Sequence, residues 1–296
     1  MFKKLSLTLW LLLIAVTAGF SQARKIQFTE YDLPNGLHVI LHQDNSTPIV
    51  AVSVLYHVGS KNEDPNRTGF AHFFEHLLFE GSENIKRGEF DKYLQNAGAT
   101  NNANTSNDRT FYYEVLPSNQ LELGLWMESE RMLHAKIETV GVETQREVVK
   151  EEKRQRIDNQ PYMSFQSEIF KRAYTQHPYR WTPIGSMDDL NAASLDEFIA
   201  FYKTFYVPEN ATLSIAGDID VAQAKAMVAK YFQDIPRGKK PVPRPTAVEP
   251  QQKAEVRDVI FDNIQLPAVF QAYHIPAQGT PDSYALDMLS TVLSGG

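Results

Sequence analysis

The sequence predicts an α+β fold. Strand-like runs with period-two alternation come first and return late. Helical stripes with capping signals fill the middle. A Pro-rich stretch then separates this body from a short tail in which strand and helix patterns begin again.

Taken in order, the chain opens with "MFKK", the apolar run "LSLTLWLLLIAVTAGF" and the small-residue site "SQA". Residues 1–23 therefore read as a Sec-type signal peptide, with export to the periplasm or the extracellular space. The apolar run is short for a span of ~20 residues, so no stable membrane span is expected after cleavage. Removing the segment takes away two Lys and moves the formal charge from −7 to −9. An acidic chain argues against a nucleic-acid partner. Cys is absent, which excludes disulfides and Cys-ligated metals.

"FTEYDLPNGLHVILH" reads as a hairpin turning at Pro-Asn-Gly, and "IVAVSVLYHVG" as a buried strand. "FAHFFEHLLFE" and "RGEFDKYLQNAG" read as helices, the second closed by Gly98. The Asn/Thr-rich "ATNNANTSNDRTFYYEVLP" leads into a strand ending at Pro117. "SNQLELGLWMESERMLHAKI" carries a helical apolar stripe with Ser118 as a cap. "VETQREVVKEEKRQRIDNQP" is a charged helix stopped before Pro161. A helix follows in "MSFQSEIFKRAYTQHPY", ending near His177. "SLDEFIAFYKTFY" starts with a Ser194/Glu197 capping box. "ATLSIAGDID" is a strand and "VAQAKAMVAKYFQDI" an amphipathic helix.

These elements divide the chain into residues 24–190, a first α+β domain, and 191–236, a helix-strand-helix segment beginning a second domain. Residues 237–253 are a Pro-rich linker. Residues 254–296 are the truncated start of a further α+β unit, too short to bury a core of its own.

The chemistry lies in "TGFAHFFEHLLFEGS". On a helix, His72, Glu75 and His76 share a face. Two imidazoles one turn apart can hold one zinc ion with bonds near ~2.1 Å. Glu75 beside them is placed to take a proton from a zinc-activated water, in the inverted form of the H-E-x-x-H arrangement. A catalytic zinc needs a third protein ligand. Spacing alone leaves Glu80, Glu143, Glu147, Glu151 and Glu152 open, and His57, His134 and His177 read as structural. The bland alternative is an apolar core helix carrying packed histidines, with the charged helix a solvated face.

Five stretches in the same order resemble landmarks of the pitrilysin/insulinase family of zinc proteases, which includes the mitochondrial processing peptidases. They are "GFAHFFEHLLFEGS", "NANTSNDRTFYYEVLP", "QREVVKEEKRQRIDNQPY", "HPYRWTPIGSMDDL" and "FYKTFYVPENATLSIAGDID". The resemblance implies that His72, His76 and Glu152 bind one Zn2+ per chain and that Glu75 is the general base. The earlier Glu of the family's pattern falls on Gln145, which can hydrogen-bond behind the ligands but carries no charge. Asn102 and Ala103 match positions that dock substrate as an added strand.

The implied architecture is antiparallel sheets with packed helices. Two similar domains would make the N-terminal half of a clam-shell metalloprotease. The implied activity is a zinc endopeptidase acting on peptides or unfolded segments. The family's second half supplies an Arg-Tyr pair that has no counterpart here. The chain alone is thus expected to be a weak enzyme, awaiting a missing C-terminal half or a homologous partner subunit. The alternatives are a non-catalytic scaffold subunit and a purely structural zinc site.

Overall fold

The computed structural model describes residues 25–295. The expected signal peptide lies outside them. The strands are β1 (Thr29–Asp32), β2 (His38–Gln43), β3 (Ile49–Tyr56), β4 (Thr100–Thr105), β5 (Thr110–Pro117) and β6 (Ala211–Gly217). They form one six-stranded sheet in the order β1-β2-β6-β3-β5-β4. The helices are α1 (Phe70–Leu77), α2 (Phe90–Asn96), α3 (Leu121–Leu133), α4 (Thr139–Lys153), α5 (Phe165–Ala173), α6 (Met187–Ala192), α7 (Leu195–Phe205), α8 (Val221–Phe232) and α9 (Pro281–Gly295). The fold is α+β. Among the described residues no helix is long and apolar enough to cross a membrane.

The sheet buries one face. Its register aligns Val39, Leu213, Val54, Tyr112 and Ala103 in one row, and Leu41, Ile215, Val52, Glu114 and Asn101 in the next. Alternation along each strand sends these side chains to the same side. There α1, α3 and α8 pack against the strands. The opposite face is only half covered, as in β3, where Val50, Val52, Val54 and Tyr56 are buried and their neighbours are not.

Two features depart from the sequence reading. The sheet is not wholly antiparallel, because β2 pairs with β6 in parallel. The helical segments between β5 and β6 form a long crossover of the kind a parallel pairing needs. β6 lies between β2 and β3, so the sheet draws on residues from both sides of the expected boundary at 190/191.

Local signals act as read in most places. The Pro-Asn-Gly turn places Gly36 at φ 88°, and Asn35 Nδ2 donates to Phe232 O at 2.7 Å and Ile235 O at 3.0 Å, closing the end of α8. The Ser194/Glu197 capping box forms at the start of α7. Ser118 does not cap α3. A 3₁₀ turn, Ser118–Gln120, intervenes, and its hydroxyl donates to Asp218 Oδ2 at 2.8 Å instead. Helix α6 was not expected; Ser186 caps it by accepting from Asp189 N at 3.1 Å.

Residues 237–253 contain no helix or strand, but they are strapped to the body. Glu209 Oε1 accepts from Gly238 N at 2.8 Å. Arg244 donates to His57 O at 2.8 Å and Asn210 Oδ1 at 2.6 Å. Glu249 accepts from the backbone N–H groups of Thr175, Gln176 and His177 at 2.8–2.9 Å. The strands expected in "AEVRDVIFDN" and "AVFQAYHIP" are not formed. A strand needs a ladder partner, and these segments have none among the described residues. Phe261 is 93% exposed and Val269 86%.

Candidate metal centre

Helix α1 carries both the apolar face and the His-Glu-His spacing that its sequence suggested. Phe70, Phe73, Phe74 and Leu77 are buried. Phe198 of α7 meets Phe70 and Phe73 at ring-centroid distances of 4.6 and 4.4 Å, and Phe201 meets Phe74 at 5.4 Å. The other face presents His72, Glu75 and His76. The packed core and the metal-ligand spacing therefore occupy opposite sides of one short helix.

The start of α1 is fixed from outside the helix. Gly69 precedes it at φ 97°, with no capping side chain of its own. Buried Glu63 substitutes, accepting from Gly69 N at 3.0 Å, Ala71 N at 2.8 Å and Trp181 Nε1 at 3.1 Å. Burial pushes its carboxyl up to about 8 against these donors, which favour the anion. Thr68, just before, donates to Asp189 Oδ2 from both its N–H and its hydroxyl. Gly185 closes the junction. A Cβ there would lie 2.5 Å from the Thr68 and Gly69 backbone, so only glycine fits.

Helix α4 packs against α1 and brings Glu152 to the two histidines. Glu152 Oε2 lies 3.1 Å from His76 Nε2 and 3.6 Å from His72 Nε2. One ligand atom from each residue fits within a 4.8 Å span. A tetrahedral ion with bonds of about 2.1 Å needs ligand atoms about 3.4 Å apart, which these two distances bracket. Glu152 Oε2 is buried without a well-formed hydrogen bond, as expected of an oxygen reserved for a cation.

Protonation favours ligation. Burial, then the neighbouring His76, push the His72 ring down to about 4, against Glu152, which raises it. The ring is therefore neutral, the form that binds metal. The His76 ring beside it is the main cause holding Glu152 below the usual carboxylate range. Arg156 Nη1 holds the other oxygen, Oε1, at 2.6 Å. Arg156 sits on a π-helical segment, Arg154–Asp158, that widens the backbone directly after α4.

Glu75 is half-buried beside this set. Burial raises its pKa, offset in part by the Thr105 hydroxyl at the end of β4. The candidate base therefore lies where α1 crosses the outermost strand. β4 pairs with β5 on one side only. Asn102 is exposed and Ala103 half-buried, and Ala103 N–H is taken by Asn102 Oδ1 at 2.9 Å.

The competing acids are elsewhere. Glu143, Glu147 and Glu151 are exposed and pair with Arg146, Lys150 and Arg154 along α4. Glu80 lies beyond the end of α1, and Gln145 donates to it at 2.5 Å. His134 pairs with Glu83 and His177 accepts from Tyr179 N. Sequence reasoning missed Glu63 and Arg156. Arg156 was signalled by its position four residues after Glu152 on a helix; Glu63, in a loop, left no periodic signal.

Comparison with known proteins agrees with this geometry. Residues 38–184 match the family described as Insulinase (Peptidase family M16), and residues 192–296 match the Peptidase M16 inactive domain. A zinc protease of Helicobacter pylori, PqqE, is 35% identical over 289 residues, covering 96% of this chain and 65% of that protein. The crystal structure of a protease from Helicobacter pylori superposes with a TM-score of 0.73 at 36% identity, over 76% of this chain and 54% of that one. The first half of the periplasmic protease PqqL from Escherichia coli superposes at 0.68 with 26% identity, over 76% of this chain and 49% of that one. The chain thus spans between about half and two thirds of the relatives it matches. With both segments matched and the His-His-Glu set assembled between α1 and α4, the chain belongs to the insulinase family of peptidases.

Proposed function

We propose that this chain is the metal-binding part of a zinc endopeptidase that cleaves peptides or unfolded polypeptide segments. The observation that carries the reading is the convergence of His72, His76 and Glu152 with Glu75 beside them. Zinc, when bound, supplies Lewis acidity that polarises the scissile carbonyl and acidifies water. Glu75 takes a proton from the attacking water at a carboxylate oxygen and delivers it to the leaving amine nitrogen. Its raised pKa suits a group that must hold that proton for part of the cycle. Arg156 fixes the far oxygen of Glu152, so the near one stays aimed at the histidines.

Substrate binds as an added strand on the open side of β4, with its main chain beside Asn102 and Ala103. It displaces the Asn102 carboxamide from Ala103 N–H. An extended chain laid there passes Thr105 and so approaches Glu75. A complementary half, on a longer chain or a homologous subunit, completes the chamber. The protein works outside the cytoplasm, as does the relative called periplasmic.

The test is zinc content and hydrolysis of an unstructured fluorogenic peptide, for the wild-type chain and for Glu75→Gln. The reading expects one zinc per chain in both and hydrolysis in the wild type alone. A zinc-free wild type removes the metal site. Equal hydrolysis in both removes Glu75 as base. Zinc without hydrolysis in either, even with a complementary half added, leaves the scaffold reading.

A further inference from the structure

We infer that Glu80 and Gln145 form a positioning clasp that sets α4 against α1 and thereby tunes the zinc affinity of His72, His76 and Glu152; this rests on the metal reading above. Glu80 follows His76 by four residues, just past the end of α1, and its side chain is 10% exposed. Oε1 accepts from Gln145 Nε2 at 2.5 Å and, at 3.5 Å, from Arg87 Nη2, while Oε2 is bound by Arg87 Nε.

Gln145 precedes Glu152 by seven residues. The two share a face of α4 about two turns apart, roughly 10 Å along its axis. The α1 segment and α4 are thus joined twice, by the ligand set and by the Glu80–Gln145 bond. One contact between two rods leaves rotation and sliding free, and a second contact spaced along the axis removes both. Gly141, one turn before Gln145, borders Glu80, and a Cβ there would meet Glu80 Cγ in ordinary van der Waals contact at 3.5 Å.

The polarity of the clasp is specific. Gln145 Oε1 is buried and has no partner. A Glu at 145 would therefore put a second carboxylate against Glu80 in place of the Gln145 donor. Exchanging the two residues restores the bond between them and the short bond to Arg87 Nε. A Gln at 80 donates to a Glu at 145 and still accepts from Arg87.

The experiment measures zinc affinity by competition with a chromophoric chelator, alongside unfolding of the zinc-free chain, for wild type, Gln145→Glu and the exchange Glu80→Gln/Gln145→Glu. Gln145→Glu is expected to bind zinc about tenfold more weakly or worse, and the exchange to recover affinity to within about threefold. Gln145→Ala, which removes the bond without repulsion, is expected to lose affinity by several-fold and stands in if Gln145→Glu does not fold. Wild-type affinity in Gln145→Glu or Gln145→Ala overturns the clasp. So does an exchange variant that regains zinc-free stability but not zinc affinity. A wild-type chain without zinc affinity overturns the metal reading and the clasp with it.

Discussion

Two clusters of acid lie on either side of the bond between Tyr112 and α1, and their surroundings differ. In the first, Glu114 of β5 and Glu128 of α3 are fully buried, with Arg131 Nη2 at 3.7 and 3.2 Å. The Arg131 guanidinium also sits 4.2–4.6 Å over the rings of Tyr112, Phe79 and Phe90. Burial, and then the Glu128 charge, push Glu114 well above the usual carboxylate range, so it keeps its proton. The cation beside this acid pair, Arg131, is supplied by the chain itself. In the second cluster, Glu152 meets two imidazole nitrogens, and Arg156 takes only its far oxygen. Tyr112 joins the two, donating its hydroxyl to Phe74 O on the metal helix at 2.8 Å. The first cluster carries its own cation, while the second leaves one Glu152 oxygen facing two imidazoles, the arrangement that the proposed metal reading requires.

The strongest way to break this comparison is Arg131→Met. It strands a buried charge, and a loss of about 3–5 kcal/mol is expected in urea denaturation. A loss below about 1 kcal/mol would show that the first cluster is not held by its cation. Next comes Glu152→Gln. Zinc affinity should fall more than about 100-fold, while the zinc-free protein keeps its stability to within about 1 kcal/mol. Equal damage to the zinc-free fold would make Glu152 a structural acid like Glu128.

Glu114→Gln sharpens the comparison through pH. A carboxyl whose folded pKa is raised adds stability below its unfolded pKa, near 4.5, and loses it as pH rises toward the folded value. The slope per such proton is up to about 1.4 kcal/mol per pH unit. Denaturation midpoints from pH 4 to 9 should decline less steeply in Glu114→Gln. An unchanged slope would mean that Glu114 is ionised.

The smallest effect concerns a third acid. Glu249 is half-buried and pairs with no cation among the described residues. Against desolvation, which raises it, the N–H groups of His177, Thr175 and Gln176 hold its carboxyl down to about 2. Its contribution is present above about pH 4.5 and is lost as pH falls toward 2. Glu249→Gln should speed limited proteolysis within residues 237–280 a few-fold and leave the global unfolding midpoint unchanged. Unchanged cleavage would show that the strap is held elsewhere.

The sequence made the candidate metal helix legible because its proposed ligands and its core residues obey one local period. Glu152 was legible only by resemblance, because local spacing treats every acid on α4 alike; the choice depends on how α4 crosses α1. The Ser194/Glu197 capping box and the hairpin turn were legible for the same local reason. The central place of β6 was not, since strand order is set by pairing between distant segments. Arg131 was hidden within an apolar helical stripe, and nothing in "WMESERM" says that its charges turn inward. The tail shows the converse limit. Val259, Phe261, Val269 and Tyr273 have the pattern of strands, yet a pattern becomes a strand only when a partner pairs with it.

The open side of β4 carries a hazard. Any bare row of backbone donors and acceptors can template a second copy of its own chain as readily as a foreign peptide. "TNNANT" answers this with a short strand of weak β-formers, and Asn102 folds its carboxamide back over the neighbouring N–H. A rim that resists its own copies in this way also grips weakly, so a peptide docked as proposed must draw much of its hold from surfaces beyond this strand.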